Sequence, residues 1–313
     1  MEKFKKIEDD DIMIEVTMLD ERSVEEMGSD DGGVMRDTLS EFWESFYSMC
    51  CNGEAVKYPR LKHTLHEEDW IAICRILVFG YKACGYYPIK LATSFMLNCF
   101  GRSVSEETVL NDFMNSTCDR DLIINAKEGR LEEFDDLIDF LDDYECTVVP
   151  NEKNVINVLN EIAHKEIIQK PAYISKCWKP ILLQQVFLLP EEIELICVKL
   201  KPSCKRVLEM LTFDDDPQAK GELLTIRSLK RYVKTLDENV LTKFVRFCTG
   251  ADVLVVDKIF VRILKNSQSD FQRRPVAHTC GAVLELPPGY ELVDLKHEFN
   301  NILSSNVLYM DFV

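Results

Sequence analysis

Between residues 70 and 81 the apolar side chains Trp70, Ile73, Cys74, Leu77, Val78 and Tyr81 recur at intervals of three and four. Only a helix puts that spacing on one face, and a stripe this broad must be buried against other elements. The same rhythm runs from Val34 through Leu39, Phe42, Trp43 and Phe46, and through Val155, Val158, Leu159, Ile162 and Ile167. It returns from Leu236 to Phe247 and in Leu292, Leu295, Phe299, Ile302 and Leu303. A further apolar segment, Leu91 to Phe100, follows the break at Gly85-Tyr-Tyr-Pro88. Strand patterns are short. They are Ile12–Met18, then Val253–Val256, Ile259–Ile263 and Gly281–Leu286, the last stopped by Pro287-Pro-Gly289. A turn-rich acidic stretch ending in Ser29-Asp-Asp-Gly-Gly33 separates the first strand from the first helix. The expected class is α+β, a helix-rich larger half followed by a smaller α+β half.

At 313 residues the chain accommodates two domains, and its charge says where they divide. The net charge is -17, yet residues 204–313 carry 15 basic and 15 acidic residues, so the whole excess lies before them. Lys201-Pro202-Ser203 falls at that change, and proline disfavours a helical residue before it. The expected organisation is therefore residues 1–200, a hinge, and residues 201–313. Residues 102–148 are polar and acidic, with short helical patches at Leu131–Phe134 and Leu137-Ile138, and read as a small inserted subdomain. Asn154 is placed to cap the helix that follows. An acidic first half argues against nucleic acid, whose affinity rests on Lys and Arg at phosphates. It suits a partner with a basic surface, or simply solubility.

Met1 is followed by Glu, Lys, Phe and Lys, without an apolar run of the signal-peptide kind, and no stretch is apolar over the length of a bilayer. The expectation is a cytosolic or nuclear protein whose twelve cysteines stay reduced, with no membrane partner. No Cys-x-x-Cys pair occurs, and of the five histidines only His63 and His66 stand close together, so neither a metal nor a cofactor is expected. Phosphate-binding glycine loops and a serine nucleophile elbow are also lacking in the sequence.

That leaves cysteine chemistry. Cys74, Cys99, Cys197 and Cys248 sit on apolar helical faces, where cysteine packs as a small, inert hydrophobe. Cys280 differs. It closes the polar, proline-containing stretch Arg273-Arg-Pro-Val-Ala-His-Thr-Cys280, just before a strand. Two arginines and a histidine bring positive charge near it, the setting in which a thiol attacks as thiolate. In an extended segment His278, two residues away, projects on the same side.

Arg274-Pro-Val-Ala-His-Thr-Cys280 followed by Leu284-Glu-Leu-Pro287 resembles the active-site loop of HECT-type ubiquitin-protein ligases, in a divergent animal branch that carries the Arg-Arg-Pro-Val-Ala-His-Thr-Cys loop. Phe247-Cys-Thr-Gly250 is similar to that family's Phe-x-Thr-Gly, and Asp31-Gly-Gly-Val-Met-Arg36 resembles its Asp-x-Gly-Gly-Val-x-Arg segment. Arg75-Ile-Leu, Asn151-Glu-Lys-Asn154 and Glu194-Leu-Ile-Cys197 are similar to further landmarks, in the family's order. The chain departs from the pattern at Gly281, where a bulky aromatic is common, and in a short 102–148 segment.

The resemblance implies a bilobal fold with an N-terminal lobe over 1–200, a conjugating-enzyme-binding subdomain at 102–148 and a C-terminal lobe over 201–313. It implies that Cys280 forms a thioester with ubiquitin delivered by a conjugating enzyme and passes it to a lysine of a protein substrate. His278 and Thr279 would support the cysteine, and Asp311 in the tail would orient the lysine. The same resemblance also admits a non-catalytic module that binds ubiquitin or a conjugating enzyme.

Overall fold

The computed structural model describes residues 1–5, 32–130, 134–185, 189–213, 219–264 and 274–304. The strand expected at Ile12–Met18, the patch Leu131–Glu133 and Asp311 lie outside them. The chain divides into two units. No described helix is long and apolar enough to cross a membrane.

The first unit comprises residues 1–10, 43–79 and 88–196. Its core is built on large aromatics: Trp43, Trp70, Phe95 and Trp178 are fully enclosed. Phe46 stands edge-on to Trp70 at 6.4 Å, and Phe95 to Trp178 at 5.5 Å, the edge-to-face geometry that ring quadrupoles favour. Most of the expected Trp70–Tyr81 stripe lies in the helix Glu67–Cys84, whose Trp70, Ile73, Cys74, Leu77 and Val78 are buried. Within the acidic segment three aromatics cluster. Helices Glu106–Ser116 and Phe134–Asp143 bring Phe113 within 6.2 Å of Phe140, and Tyr144 lies 5.1 Å from both. The helix Val155–His164 begins after Asn154 as expected, but that side chain does not cap it. Its Oδ1 accepts instead from the Asn151 N–H at 2.7 Å, closing the preceding turn.

The second unit comprises residues 11–42, 80–87 and 197–313. Its centre is a four-stranded sheet in the order Leu211–Phe213, Ile259–Ile263, Val283–Leu286, Val276–His278. The first three strands run parallel and the last pairs antiparallel. Helices Lys220–Val233, Glu238–Thr249 and Leu292–Ser304 cover it. Phe299 anchors their packing, stacked on Tyr232 at 5.0 Å and edge-on to Phe244 at 5.3 Å and Phe247 at 6.1 Å. The buried Thr225 hydroxyl donates to the Pro287 carbonyl at 3.1 Å and accepts from the Tyr290 N–H at 3.0 Å, tying the Pro-Pro-Gly turn to its helix.

Three strand readings change in this unit. Val253–Val256 forms no strand. Val253 and Leu254 are buried, but the Val255 N–H turns back to the Val253 carbonyl and the Leu254 N–H goes to Leu200, so a packed turn consumes the ladder groups. Gly281 and Ala282 fall in a turn, and the strand starts at Val283. The stretch before Cys280 is not all loop, because Val276–His278 makes an edge strand. The helical pattern expected over Leu236–Phe247 forms as the helix Glu238–Thr249, with a cap at each end. Asp237 Oδ1 accepts from the Val240 N–H at 2.9 Å, and Gly250 ends it at φ +79°, where a side chain would be strained. Lys201-Pro202-Ser203 links helices Ile193–Leu200 and Cys204–Met210.

Candidate active site

Strands Val276–His278 and Val283–Leu286 are joined by the four residues Thr279–Ala282. His278 pairs with Val283 at the mouth of this hairpin, and Cys280 sits within the turn, half-buried. Ala282 adopts φ +50°. That costs a non-glycine residue about 1 kcal/mol, offset here by bonds on both sides of the residue. Its N–H donates to the Thr279 carbonyl at 3.2 Å, and its carbonyl accepts from the Phe260 N–H at 2.8 Å. Thr279 is buried, and among the described residues its hydroxyl has no hydrogen-bond partner.

The described basic residues near Cys280 in sequence, His278 and Arg274, turn elsewhere. The His278 ring faces Glu285, Nε2 to Oε2 at 3.5 Å. Arg274 is exposed and lies 4.0 Å from Glu298, and Arg273 falls outside the described residues. The cation that does meet the turn comes from far away in the chain. Arg36, buried in the helix Gly33–Cys50, donates from Nη2 to the Thr279 carbonyl at 2.6 Å and approaches the Cys280 carbonyl at 3.4 Å. Its Nε donates to the Thr249 carbonyl at 2.7 Å.

Two glycines let these backbones meet. A Cβ on Gly33 would lie 2.6 Å from Cys280 N, 2.7 Å from Thr279 Oγ1 and 2.8 Å from Thr279 C. One on Gly250 would lie 2.6 Å from the Gly33 carbonyl oxygen. Gly33 is thus sandwiched between the end of the helix Glu238–Thr249 and the Thr279–Cys280 peptide.

Polar pairs flank the sandwich. Ser40 accepts from the Asp252 N–H at 3.1 Å, and the Tyr86 hydroxyl donates to Asp252 Oδ1 at 2.6 Å. Arg246 reaches Asp37 at 2.8 Å and Glu41 at 2.9 Å. Burial pushes the Asp37 carboxyl above the ordinary range, and Arg246 is the counter-charge that draws it back.

Of the four thiols expected to pack on apolar helical faces, three do. Cys74, Cys99 and Cys248 are enclosed, whereas Cys197 is half-buried. Burial pushes the Cys74 and Cys248 thiols well up and that of Cys99 up to about 12. Among the described residues no group of three or more His, Cys, Asp and Glu side chains is placed to hold a metal.

Of the residues expected from sequence, Thr279 and Cys280 lie in the turn and His278 at its mouth, its ring on Glu285. Gly33, Arg36, Thr249 and Gly250 belong to motifs visible in the sequence, but their meeting at Cys280 was not readable there. Cys280 is thus a half-buried cysteine within a hairpin turn whose Thr279 carbonyl is held by a buried guanidinium. Residues 186–300, which include this hairpin and Thr249-Gly250, match the family model described as HECT-domain (ubiquitin-transferase). A comparison with curated proteins finds no match.

Proposed function

We propose that this chain, whose residues 186–300 match the HECT-domain family model, accepts ubiquitin on Cys280 as a thioester and transfers it to a substrate lysine. The observation that carries the reading is Cys280 itself: a half-exposed thiol on a braced turn, inside the matched segment. In the first step the Cys280 sulfur attacks the thioester carbonyl that joins ubiquitin to a conjugating enzyme. A carbon–sulfur bond forms, the old one breaks, and the departing cysteine leaves as thiolate. One thioester replaces another, so the step is close to thermoneutral and depends on placement. In the second step a neutral lysine amine attacks the same carbonyl, the carbon–sulfur bond to Cys280 breaks as the amide forms, and the proton shed by the amine balances the charge on the released sulfur.

Supporting roles follow from the arrangement. His278, facing Glu285 at the mouth of the turn, and buried Thr279 would hold the thiol's surroundings. Asp311 would orient the incoming lysine through its carboxylate. We keep the sequence-based lobes, residues 1–200 and 201–313 with the link at 199–203, although by packing residues 11–42 and 80–87 fall in the unit that holds 197–313. The conjugating enzyme would dock on 102–148, where the helix Phe134–Asp143 turns Asp136, Asp139, Asp142 and Asp143 outward while Leu137, Phe140 and Leu141 face in. The setting would be the cytosol or nucleus, where the thiol stays reduced.

The test is incubation with ubiquitin-charged conjugating enzymes, resolved on gels with and without thiol reductant. The expected adduct is removed by reductant, and Cys280→Ser either loses it or converts it to a reductant-stable ester. An adduct that persists in Cys280→Ala would overturn the assignment. No adduct on the intact protein with a broad panel of conjugating enzymes would favour a non-catalytic binding module.

A further inference from the structure

The segment Gly33–Arg36 lies outside the matched residues 186–300, yet its Arg36 side chain reaches the cysteine turn at 2.6 Å. We infer that Arg36 is a positioning residue for transfer at Cys280, acting through the carbonyls that flank it. This inference rests on the thioester reading above.

The Thr279 carbonyl takes two donors, Arg36 Nη2 at 2.6 Å and the Ala282 N–H at 3.2 Å. The first comes from outside the hairpin and the second closes it. Because the peptide is planar, fixing that carbonyl also fixes the direction in which Cys280 leaves the peptide. Arg36 Nη2 lies near the Cys280 carbonyl as well, at 3.4 Å. Both peptides on either side of the nucleophile's Cα therefore face one guanidinium.

The opposite end of the fork is anchored. Arg36 Nε donates to the Thr249 carbonyl at 2.7 Å, and Thr249 is itself pinned by its hydroxyl to the Val245 carbonyl at 2.8 Å. The guanidinium is rigid and planar, so it transmits the position of the helix Glu238–Thr249 to the turn. A lysine ammonium is a point charge and cannot serve Thr249 and Thr279 in the same geometry. The bare Gly33 fills the remaining side, its α-carbon against the Thr279–Cys280 peptide. A turn with a half-exposed tip thus has its back locked on three sides.

Arg36→Lys and Arg36→Ala test this in the full chain, with three readouts. Single-turnover loading from charged conjugating enzyme is followed over its concentration. The maximal rate is expected to fall by about 10²-fold, the effect of nucleophile misplacement on the order of 1 Å, with the half-saturating concentration unchanged. Methylguanidinium is expected to restore part of the rate to Arg36→Ala but none to Arg36→Lys. Amide hydrogen exchange is expected to quicken in peptides covering 276–286 and not in those covering 67–84.

Exchange unchanged at 276–286 would overturn the brace. Quickened exchange with full-rate loading would overturn the positioning role, as would a loss that only tracks the unfolded fraction. If the unsubstituted chain itself forms no adduct, the thioester reading fails and this inference falls with it. If the unsubstituted chain loads and the variants load equally, only the inference fails.

Discussion

Gly33→Ala is the smallest change that tests the backbone sandwich behind Cys280. The added methyl would sit 2.6 Å from Cys280 N and 2.8 Å from Thr279 C, roughly 1 Å inside the ~3.5 Å of an ordinary nonbonded contact. The neighbours are backbone atoms and cannot rotate away as a side chain would. Forcing a methylene into a packed site costs about 1–3 kcal/mol. The opposing term is the lower unfolded-state entropy of alanine, at most about 1 kcal/mol. The clash wins, and the net loss is about 1–2 kcal/mol, or roughly 2–4 °C in melting temperature per kcal/mol at this size. Relief of the clash moves the Thr279–Cys280 peptide by a sizeable part of 1 Å, so loading is expected to fall by up to about 10²-fold. Gly281→Ala is the comparison: its methyl would meet only Val283 Cγ2 at 3.4 Å, and stability should stay within about 0.5 kcal/mol. Urea melts and single-turnover loading on both variants decide the matter. A Gly33→Ala protein as stable as the original, loading at its full rate, would refute the sandwich.

Phe299→Ala removes the ring that Tyr232, Phe244 and Phe247 pack against, and a urea melt should show a loss of about 3–5 kcal/mol. Thr225→Val keeps the shape but deletes the bonds to Pro287 and Tyr290, costing about 1–3 kcal/mol by the same measurement. The Tyr232 hydroxyl is buried without a hydrogen-bond partner among the described residues, and burial lifts its pKa above the ordinary value near 10. The unfolded chain therefore gives up this proton first, and stability falls as pH rises above 10. Tyr232→Phe should flatten that fall in melts taken from pH 9 to 11 and leave neutral stability equal or higher. Brief alkylation of the native chain at pH 8, read by peptide mass spectrometry, should label exposed Cys118 and spare Cys74, Cys99 and Cys248, whose thiols burial keeps protonated.

The helices were legible because their information is local. Asp237 caps one end of Glu238–Thr249 and Gly250 the other, and the apolar stripe between them admits one period. The acidity of residues 102–148 is plain in composition, although the cluster of Phe113, Phe140 and Tyr144 within them is not. Short strands were uneven local signals, although Ile259–Ile263 forms where its pattern put it. Val253–Val256 has the β-branched residues of a strand but spends its amides on a turn, whereas Val276–His278 looks like loop and gains its partners from Val283–Leu286. Within the candidate site, Cys280 and its neighbours stood out by residue type. What surrounds them did not, because Gly33 and Arg36 lie more than two hundred residues away and nothing local says which carbonyl a buried guanidinium will find. Asp31-Gly-Gly-Val-Met-Arg36 could be matched as a motif without any hint of its contact.

The central claim, that Cys280 carries ubiquitin during transfer, is tested most directly by intact-mass spectrometry of the chain quenched at low pH after incubation with charged conjugating enzyme. The account predicts a gain of one ubiquitin less one water, mapped to the peptide containing Cys280, lost on adding thiol reductant and absent from Cys280→Ala. The same mass gain on Cys280→Ala, or an adduct on Cys280 that survives reductant, would contradict it.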